Sequence, residues 1–434
     1  MEKIRKKIFE MVKNEYEGIE KKKFIPGKTR VPVSGRTYDY TDINSLIDSA
    51  LDFWLTTGRF NASFEEKLSK IIKVKNVTTC NSGSSANLLA FSSLTSHLLK
   101  NSSLKPGDEV ITLATSFPTT VNPILQHNCT PVFIDIDIPT YNIDCEKIEG
   151  AISKKTRAIS IAHTLGNPCN LDKVLAITKK YNLFFIEDCC DALGSQYDGK
   201  HVGSFGDIGT LSFYPAHHIT MGEGGAVFTN RKLLNKAIRS IRDWGRDCWC
   251  ETGCDNTCGV RFNWKAGDLP HGYDHKYIYS HLGYNLKITD MQASVGLAQI
   301  KHLNKFIKSR KANFSKIYNN LKDLEEFIIL PQATDKSDPS WFGFPISLRK
   351  NKHFTRKDLL EFLTKSKIDT RLLFAGNITK QPYMKNRKFR VPFKLPNTDF
   401  VMNNTFWLGT FPGINDSMID YMSEHINQFF KKNL

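Results

Sequence analysis

Residues 212–225 read Ser-Phe-Tyr-Pro-Ala-His-His-Ile-Thr-Met-Gly-Glu-Gly-Gly and join two short runs of β-type sequence, Ile208–Ser212 and Gly225–Thr229. Before this stretch, further β-type runs alternate with sequences of helical period, which is typical of a mostly parallel sheet wound by helices. These runs are Val77–Thr79, Glu109–Leu113, Thr130–Asp135, Ala158–Ala162 and Phe184–Glu187. Ligands in such α/β sheets bind beyond the carboxyl ends of the strands, so we expect functional residues in the loops there.

The length of 434 residues exceeds one ordinary domain and predicts a large domain with a smaller one. We predict an N-terminal helix and approach segment over residues 1–44, a large α/β domain over 45–314, and a small α+β domain over 315–434. A helix over 289–312 should end the large domain. Residues 244–276 are rich in Cys, Gly, Trp and Asp without a steady period, which predicts an irregular insert held by internal contacts or a ligand.

The chain carries 60 basic and 44 acidic residues, a net charge of +16. Because these charges are dispersed, they favour a solvated surface that attracts anionic substrates over a nucleic-acid-binding face. No run of 18 apolar residues predicts a membrane span. The charged start lacks the apolar core of a signal peptide, so we expect a cytoplasmic location.

Ten cysteines are present, and six of them fall between residues 189 and 258. In a reducing compartment such clustering indicates metal ligation or catalysis rather than disulfides. A set of four thiols fits a structural zinc or a [2Fe–2S] cluster equally well by ligand type. The candidate ligands are Cys190, Cys248, Cys250 and Cys258; Cys254 and Cys189 are possible replacements for an insert ligand and for Cys190.

Several polar positions indicate a pocket for a phosphorylated pyridine cofactor. Gly83 and Ser84 follow a β-type run and open a helix, where backbone N–H groups can meet a phosphate, although plain helix capping explains them too. Asp188 ends a buried run, where a carboxylate can pair with a protonated pyridine nitrogen or cap a following helix. Ser212 lies five residues before His217, and Asn285 precedes a long helix.

Taken in order, Gly83-Ser84, Asp188, Ser212-Phe213, Gly222-Glu223-Gly224-Gly225 and Tyr284-Asn285 resemble the nucleotide-sugar aminotransferases of the aspartate-aminotransferase fold, the pyridoxal-phosphate fold type I. The resemblance spans roughly residues 45–430. It implies that Gly83, Ser84 and Ser212 hold the cofactor phosphate, that Asp188 pairs with the pyridine nitrogen, that Phe117 stacks on the ring, and that Asn285 reaches the phosphate of a neighbouring subunit. A homodimer with shared active sites follows from that last role.

In that family the motif resembles Ser-Phe-x-x-x-Lys, and His217 stands where the lysine would be; His218 is one place out of register. An imidazole cannot form the Schiff base that a lysine forms with the cofactor. It can act as a base near neutral pH. The exchange therefore favours pyridoxamine phosphate as the resting cofactor and dehydration over transamination, with an inactive relative as the alternative.

His217 together with the four candidate cysteines resembles the sugar 3-dehydrases of this family. That resemblance implies a [2Fe–2S] cluster on Cys190, Cys248, Cys250 and Cys258, a separate flavin and iron–sulfur reductase, and a CDP-4-keto-6-deoxyhexose substrate from 3,6-dideoxyhexose (O-antigen lipopolysaccharide) biosynthesis. The chain has no flavin or nicotinamide fingerprint, which agrees with an external electron donor. Alternatives are a cluster-free dehydrase that uses glutamate and a zinc-stabilised, non-catalytic relative.

Overall fold

A computed structural model describes residues 2–19, 23–250 and 252–433. Its helices are α1 (Glu2–Gly18), α2 (Tyr40–Asp52), α3 (Arg59–Ile72), α4 (Gly83–Leu94), α5 (Pro118–Gln126), α6 (Ile148–Ala151), α7 (Leu171–Tyr181), α8 (Lys232–Arg242), α9 (Asp290–Gln299), α10 (Leu303–Leu321), α11 (Arg356–Lys365), α12 (Pro396–Asn404) and α13 (Asp416–Asn433). Its strands are β1 (Asn76–Cys80), β2 (Glu109–Leu113), β3 (Thr130–Ile134), β4 (Thr156–Ala162), β5 (Phe184–Asp188), β6 (Gln196–Tyr197), β7 (Lys200–His201), β8 (Ile208–Ser212), β9 (Gly225–Thr229), β10 (Ile328–Ile329), β11 (Ser337–Asp338), β12 (Gly343–Leu348), β13 (Arg371–Leu372) and β14 (Thr405–Gly409).

The main sheet has seven strands in the order β1-β9-β8-β5-β4-β2-β3. The neighbours from β8 to β3 are parallel, while β9 runs antiparallel to both β8 and β1. Parallel neighbours need a long crossover, usually a helix. The stretch 213–224 between β8 and β9 contains no helix, so the chain turns back antiparallel there. The predicted mostly parallel α/β sheet is confirmed.

Both faces of this sheet are covered, which explains why every residue of β2, β3, β5, β8 and β9 is buried. Every residue of β5 is buried. Phe185 belongs to the core that includes residues of α3 and α7, whereas Ile186 belongs to the core that includes residues of α4 and α8. Successive residues of a strand point to opposite faces, so β5 contributes to both cores.

A second sheet of antiparallel strands, in the order β10-β12-β14-β13, packs with α10, α11 and α13 around its own core. The predicted helix over 289–312 is instead α9, a 3-10 turn at Ile300–His302 and α10. Helix α10 runs from Leu303 to Leu321 and so crosses the predicted boundary at 314/315; its Phe306 belongs to the first core and its Ile317 to the second. The limits of the three predicted units remain predictions.

The insert has no α-helix or extended strand in its described part, 244–250 and 252–274, as its composition predicts. Ion pairs and ring contacts hold it. Arg261 donates to both carboxylate oxygens of Asp274 at 2.9 and 2.6 Å. The His275 ring stacks on Trp264 with 4.3 Å between centroids, and its Nε2 lies 2.9 Å from an Asp247 carboxylate oxygen. Among the described helices, none is long and apolar enough to cross a membrane.

Candidate active site

A cavity of about 640 Å³ opens at the carboxyl ends of the parallel strands, where Ala162, Asp188 and Ser212 end β4, β5 and β8. This volume lies within the usual range for small-molecule sites. The predicted site residues that line it are Gly83, Ser84, Phe117, Asp188, Cys190, Ser212 and His217. Four segments that are distant in sequence, 83–84, 117, 188–190 and 212–217, therefore line the same cavity.

The end of this cavity that is predicted to hold the phosphate lies where α4 begins directly after β1. Ser82 caps the helix, since its side chain accepts from the Ser85 N–H at 3.0 Å. Capping therefore does not require Gly83, Ser84 or Ser212, and all three line the cavity. A Cβ atom at Gly83 would lie 2.8 Å from Ser212 Oγ, so glycine allows the helix start and the strand end to approach closely. The helix N-terminus with adjacent hydroxyls suits a phosphate.

Asp188 is a buried carboxylate fixed by three hydrogen bonds. One oxygen accepts from Asn87 Nδ2 at 2.8 Å and Thr120 Oγ1 at 2.7 Å, and the other accepts from the Cys190 N–H at 3.1 Å. Asn87 is held in turn by Thr210 Oγ1 at 2.7 Å. No helix follows Asp188 before β6, so the helix-cap explanation for this residue fails. The carboxylate is preorganised to pair with a cationic ring nitrogen.

His217 lies in a tight turn after β8, where its N–H donates to the Tyr214 carbonyl at 2.9 Å. Its side chain is 15% exposed and lines the cavity. Burial, and next the charge of Arg310, lower the pKa of His217 from 6.5 to about 3. The imidazole is therefore a free base at neutral pH. His218 does not line this cavity, and its ring nitrogen bonds the Ser340 carbonyl, so His217 is the histidine in register.

Sequence reasoning missed two residues around His217. Arg310 is 1% exposed and donates to the carbonyl oxygens of His217 at 3.2 Å, Trp341 at 3.3 Å and Phe342 at 3.2 Å. It thereby fixes the histidine turn to the segment that enters the second sheet. Asp191 places a carboxylate oxygen 3.5 Å from His217 Nδ1. Burial, and next the charge of Asp188, raise the pKa of Asp191 to about 8.

The candidate cluster ligands lie at two places. Cys248, Cys250 and Cys258 line one small cavity in the insert together with His275. Cys190 lines the cofactor cavity instead, where a Cβ atom on Gly83 would come 3.1 Å from its Sγ. Thiolates are the ligands that iron–sulfur clusters use. One chain thus assembles three of the four predicted ligands at one site.

The two cysteines considered as replacements have different surroundings. Cys254 is exposed and does not line the small cavity of the insert. Cys189 is fully buried and lies close enough to His163 and Glu187 for the three to hold an ion. Glu187 is already used structurally, because its Oε2 accepts from the Gly203 N–H at 2.8 Å and lies 3.1 Å from His163 Nε2. Internal hydrogen bonding therefore explains that group.

Asn285 does not line the cavity of its own chain. It forms an isolated bridge with Asp243, and its Oδ1 accepts from Lys287 Nζ at 2.7 Å. Of the predicted cofactor-binding residues, Asn285 is therefore the one that this chain does not bring to the cavity. Its predicted role toward a neighbouring subunit stays a prediction.

Comparison with known proteins gives relatives over nearly the whole chain. The lipopolysaccharide biosynthesis protein RfbH of Salmonella typhimurium is 58% identical over 96% of this chain and 95% of its own length. The dTDP-4-dehydro-2,6-dideoxy-D-glucose 3-dehydratase of Saccharopolyspora spinosa is 47% identical over 98% of this chain and 92% of its own. The structure of Escherichia coli GDP-4-keto-6-deoxy-D-mannose-3-dehydratase with bound hydrated PLP, 29% identical, superposes with a TM-score of 0.82 over 91% of this chain and 98% of that one. The model of the DegT/DnrJ/EryC1/StrS aminotransferase family matches residues 37–427, and the chain belongs to that family.

Proposed function

We propose that the protein removes the C3 hydroxyl group of CDP-4-keto-6-deoxy-D-glucose, using pyridoxamine phosphate and a [2Fe–2S] cluster, in the biosynthesis of 3,6-dideoxyhexoses for lipopolysaccharide. The observation that carries this proposal is His217. It is an uncharged base that lines the cavity. By the resemblance of its motif to that of the nucleotide-sugar aminotransferases, it stands where their lysine would be. Relatives with 3-dehydratase names, 47% identical in one case, support the reaction class. The CDP nucleotide rests on the resemblance of His217 and the cysteines to the sugar 3-dehydrases.

The cavity fits a pyridoxamine phosphate by the chemistry of its walls. Gly83, Ser84 and Ser212 offer N–H and hydroxyl groups to the phosphate, and Asp188 offers a fixed carboxylate to the ring nitrogen. Phe117 lines the cavity and is 50% exposed, so one side of its ring is free to stack. When bound, this cofactor supplies an amine that condenses with a keto group and a ring that accepts electrons.

His217 is assigned the proton transfer. With the cofactor bound, its imidazole would accept the proton from the C4′ carbon. The C3 hydroxyl would leave as hydroxide and take up one proton to become water, so the C4′ proton and the C–OH electron pair are both accounted for. The net change replaces a C–OH bond by a C–H bond, which consumes two electrons and two protons and releases one water. No described residue of the cavity is a two-electron donor, so the electrons must come from outside; we assign them to a separate flavin and iron–sulfur reductase.

The cluster is assigned to Cys190, Cys248, Cys250 and Cys258. Support comes from the thiol chemistry of the set and from the shared cavity of its three insert members. The separate position of Cys190 favours one rival, a dehydrase of the same fold that contains no cluster and uses glutamate to restore the cofactor amine. Iron and acid-labile sulfide on anaerobically purified protein separate the two, since the rival contains neither. Zinc without iron would support the zinc-stabilised relative instead.

The role of His217 is tested by His217→Asn, with His302→Asn as a matched control outside the cavity. General bases contribute typically 10²–10⁴-fold, so turnover should fall by at least about 100-fold. Binding of pyridoxamine phosphate, followed by its absorption, should persist because the phosphate and ring contacts remain. Unimpaired turnover would remove His217 from the mechanism. If the wild-type protein transferred an amino group to the sugar, the dehydrase assignment itself would be overturned.

The cluster is tested independently by Cys248→Ser. The visible iron–sulfur absorption of the wild-type protein should be lost in this variant, with Cys254→Ser as a control that retains it. An unchanged spectrum in Cys248→Ser would remove that cysteine from the ligand set. Loss of the absorption in Cys254→Ser would show that this exposed thiol is required, which contradicts the proposed set of four ligands.

A further inference from the structure

The four proposed thiol ligands are divided between two cavities of one chain. Cys248, Cys250 and Cys258 share a small insert cavity, and none of them lines the cofactor cavity in the described residues. Cys190 lies at the cofactor cavity, against Gly83 of the phosphate end. A four-thiol site built from this set is therefore incomplete in a single subunit.

The insert is joined firmly to the segment 278–286 that follows it. The Trp244 N–H donates to the Tyr284 carbonyl at 2.6 Å, and the Asp247 N–H donates to the Ile278 carbonyl at 2.8 Å. Gly245 has φ +81°, and a Cβ atom there would overlap the backbone of the opposing strand of this loop. These contacts join residues 244–247, directly before Cys248, to segment 278–286.

This joined unit exposes a large apolar surface. Leu282 is 95% exposed at the tip of segment 278–286. A Cβ atom at Gly253 of the insert would lie 2.9 Å from the Trp54 ring. Segment 51–55 therefore lies beside the insert. The exposed large apolar residues of these segments are Leu51, Phe53, Trp54, Leu55, Trp244, Trp249, Phe262, Tyr273, Tyr277, Tyr279 and Leu282. Large apolar residues exposed together on neighbouring segments favour an interface with another protein chain.

We propose that a second copy of this chain covers that surface and that the sulfur site is completed across the subunit boundary. Cys248, Cys250 and Cys258 of one subunit would join Cys190 of the partner subunit. This inference rests on the proposed [2Fe–2S] function. The second copy is the occupant that the observations favour, because it supplies the missing thiol and covers the apolar unit that carries the other three.

The proposed shared site would also place the cluster beside the cofactor cavity, to which it is assigned to transfer electrons. Cys190 borders the cofactor cavity through Asp188, whose carboxylate accepts its N–H at 3.1 Å. A cluster bound to the thiol of Cys190 and to the insert of the other chain would therefore adjoin the cavity in which its electrons are needed. Each dimer would then hold two such sites, and each site would need both subunits.

A heterodimer of two ligand variants tests the assignment. Cys190→Ser and Cys248→Ser homodimers should each lack the cluster. Co-expressed with different affinity tags and purified as a heterodimer, the two variants should recover one cluster per dimer, half the wild-type iron, sulfide and visible absorption. The recovery is expected because one site then combines an intact Cys190 with an intact insert. If all four ligands came from one chain, both sites would be broken and no iron would return.

The reciprocal heterodimer gives the opposite result. A wild-type subunit paired with a Cys190→Ser/Cys248→Ser double variant should bind no cluster, because each shared site then lacks one ligand. A cluster bound within one chain would leave one cluster per dimer, which would overturn the proposal. Wild-type homodimer without iron would instead refute the proposed cluster function. A monomeric wild-type protein that contains iron would refute the shared site alone.

Discussion

The Oδ1 atom of Asp191 lies 3.5 Å from the Nδ1 atom of His217, at the outer limit of a hydrogen bond. Nδ1 is buried and makes no hydrogen bond to any described residue. The hydrogen bond made by one ring nitrogen of a histidine decides which nitrogen carries the proton. Asp191 is thus placed to orient the ring of the proposed base once this contact tightens.

We therefore expect Asp191→Ala to lower kcat about tenfold or more, because the base would lose its orienting partner. Asp191→Asn keeps a hydrogen-bonding group of the same size and should retain more of the activity. Both variants should keep cofactor affinity, measured by absorption titration with pyridoxamine phosphate. Equal kcat for the alanine variant and the wild type would contradict the positioning role.

The close approach at Gly83 gives a second prediction. A Cβ atom there would clash with the side chain of Ser212 and approach Cys190 Sγ to 3.1 Å, so Gly83→Ala should distort the phosphate end of the cavity. Affinity for pyridoxamine phosphate should fall at least tenfold, while circular dichroism stays native. Gly18→Ala is the matched control, because a Cβ atom at Gly18 meets nothing within 4 Å. Equal cofactor affinity in the two variants would place the phosphate elsewhere.

The main sheet was predictable because parallel strands buried on both faces leave an unbroken apolar signature. Phe184–Ile186 has that signature ahead of the acids Glu187 and Asp188, and the structure buries all five residues. The end of the helix predicted over 289–312 was not predictable from period alone. Helix α10 runs on to Leu321 because its later apolar residues, such as Ile317, pack in the core of the second sheet. Tertiary packing, rather than local propensity, decided where the helix ended.

The cofactor cavity was predictable where a residue type and its position at a strand end restrict the chemistry, as at Asp188 and Ser212. Arg310 was missed although a signal existed. It stands between Phe306 and Phe314, at spacings of four, on the apolar face of α10, where an arginine must find buried acceptors. Asp191 gave no such signal, because only the fold brings it to His217.

A half-buried histidine outside the candidate active site, His281, predicts how stability depends on pH. Both ring nitrogens of His281 hydrogen-bond to serine hydroxyls: Nδ1 lies 2.8 Å from Ser240 Oγ, and Nε2 lies 2.7 Å from Ser96 Oγ. Burial, and next the nearby His97, lower its pKa from 6.5 to about 4. Since the folded pKa lies below the unfolded one, the neutral ring stabilises the fold above pH 6.5, and that contribution is lost as pH falls toward 4.

His281→Gln removes this ionisation and should make the loss of unfolding free energy between pH 7 and pH 4.5 shallower than in wild type. Urea denaturation at a series of pH values measures it. His353→Gln, at an exposed position, serves as the control and should follow the wild-type curve. Parallel curves for His281→Gln and the wild type would mean that His281 is not held neutral in the fold.

Arg310→Met separates the structural and electrostatic roles of the buried guanidinium. Its loss leaves the carbonyl oxygens of His217, Trp341 and Phe342 without this donor. The Trp341 carbonyl still accepts from Thr410 Oγ1 at 3.0 Å. Each unsatisfied buried group costs about 1–3 kcal/mol, so loss of the donor to the other two carbonyls should lower the unfolding free energy by about 2 kcal/mol or more. Arg310→Lys retains a charge and part of the hydrogen bonding, and its unfolding free energy should lie between those of the wild type and Arg310→Met.

The pH profile distinguishes the electrostatic role from this destabilisation. The Arg310 charge is the second cause, after burial, of the low His217 pKa, so its removal should raise that pKa and make the base protonate at higher pH. The acid limb of kcat/KM, which reports the free enzyme's base, should move to higher pH in Arg310→Met and stay near the wild-type position in Arg310→Lys. If the acid limb of kcat/KM fell at the same pH in the wild type, Arg310→Met and Arg310→Lys, His217 would not be the titrating base, whatever the stability of the variants.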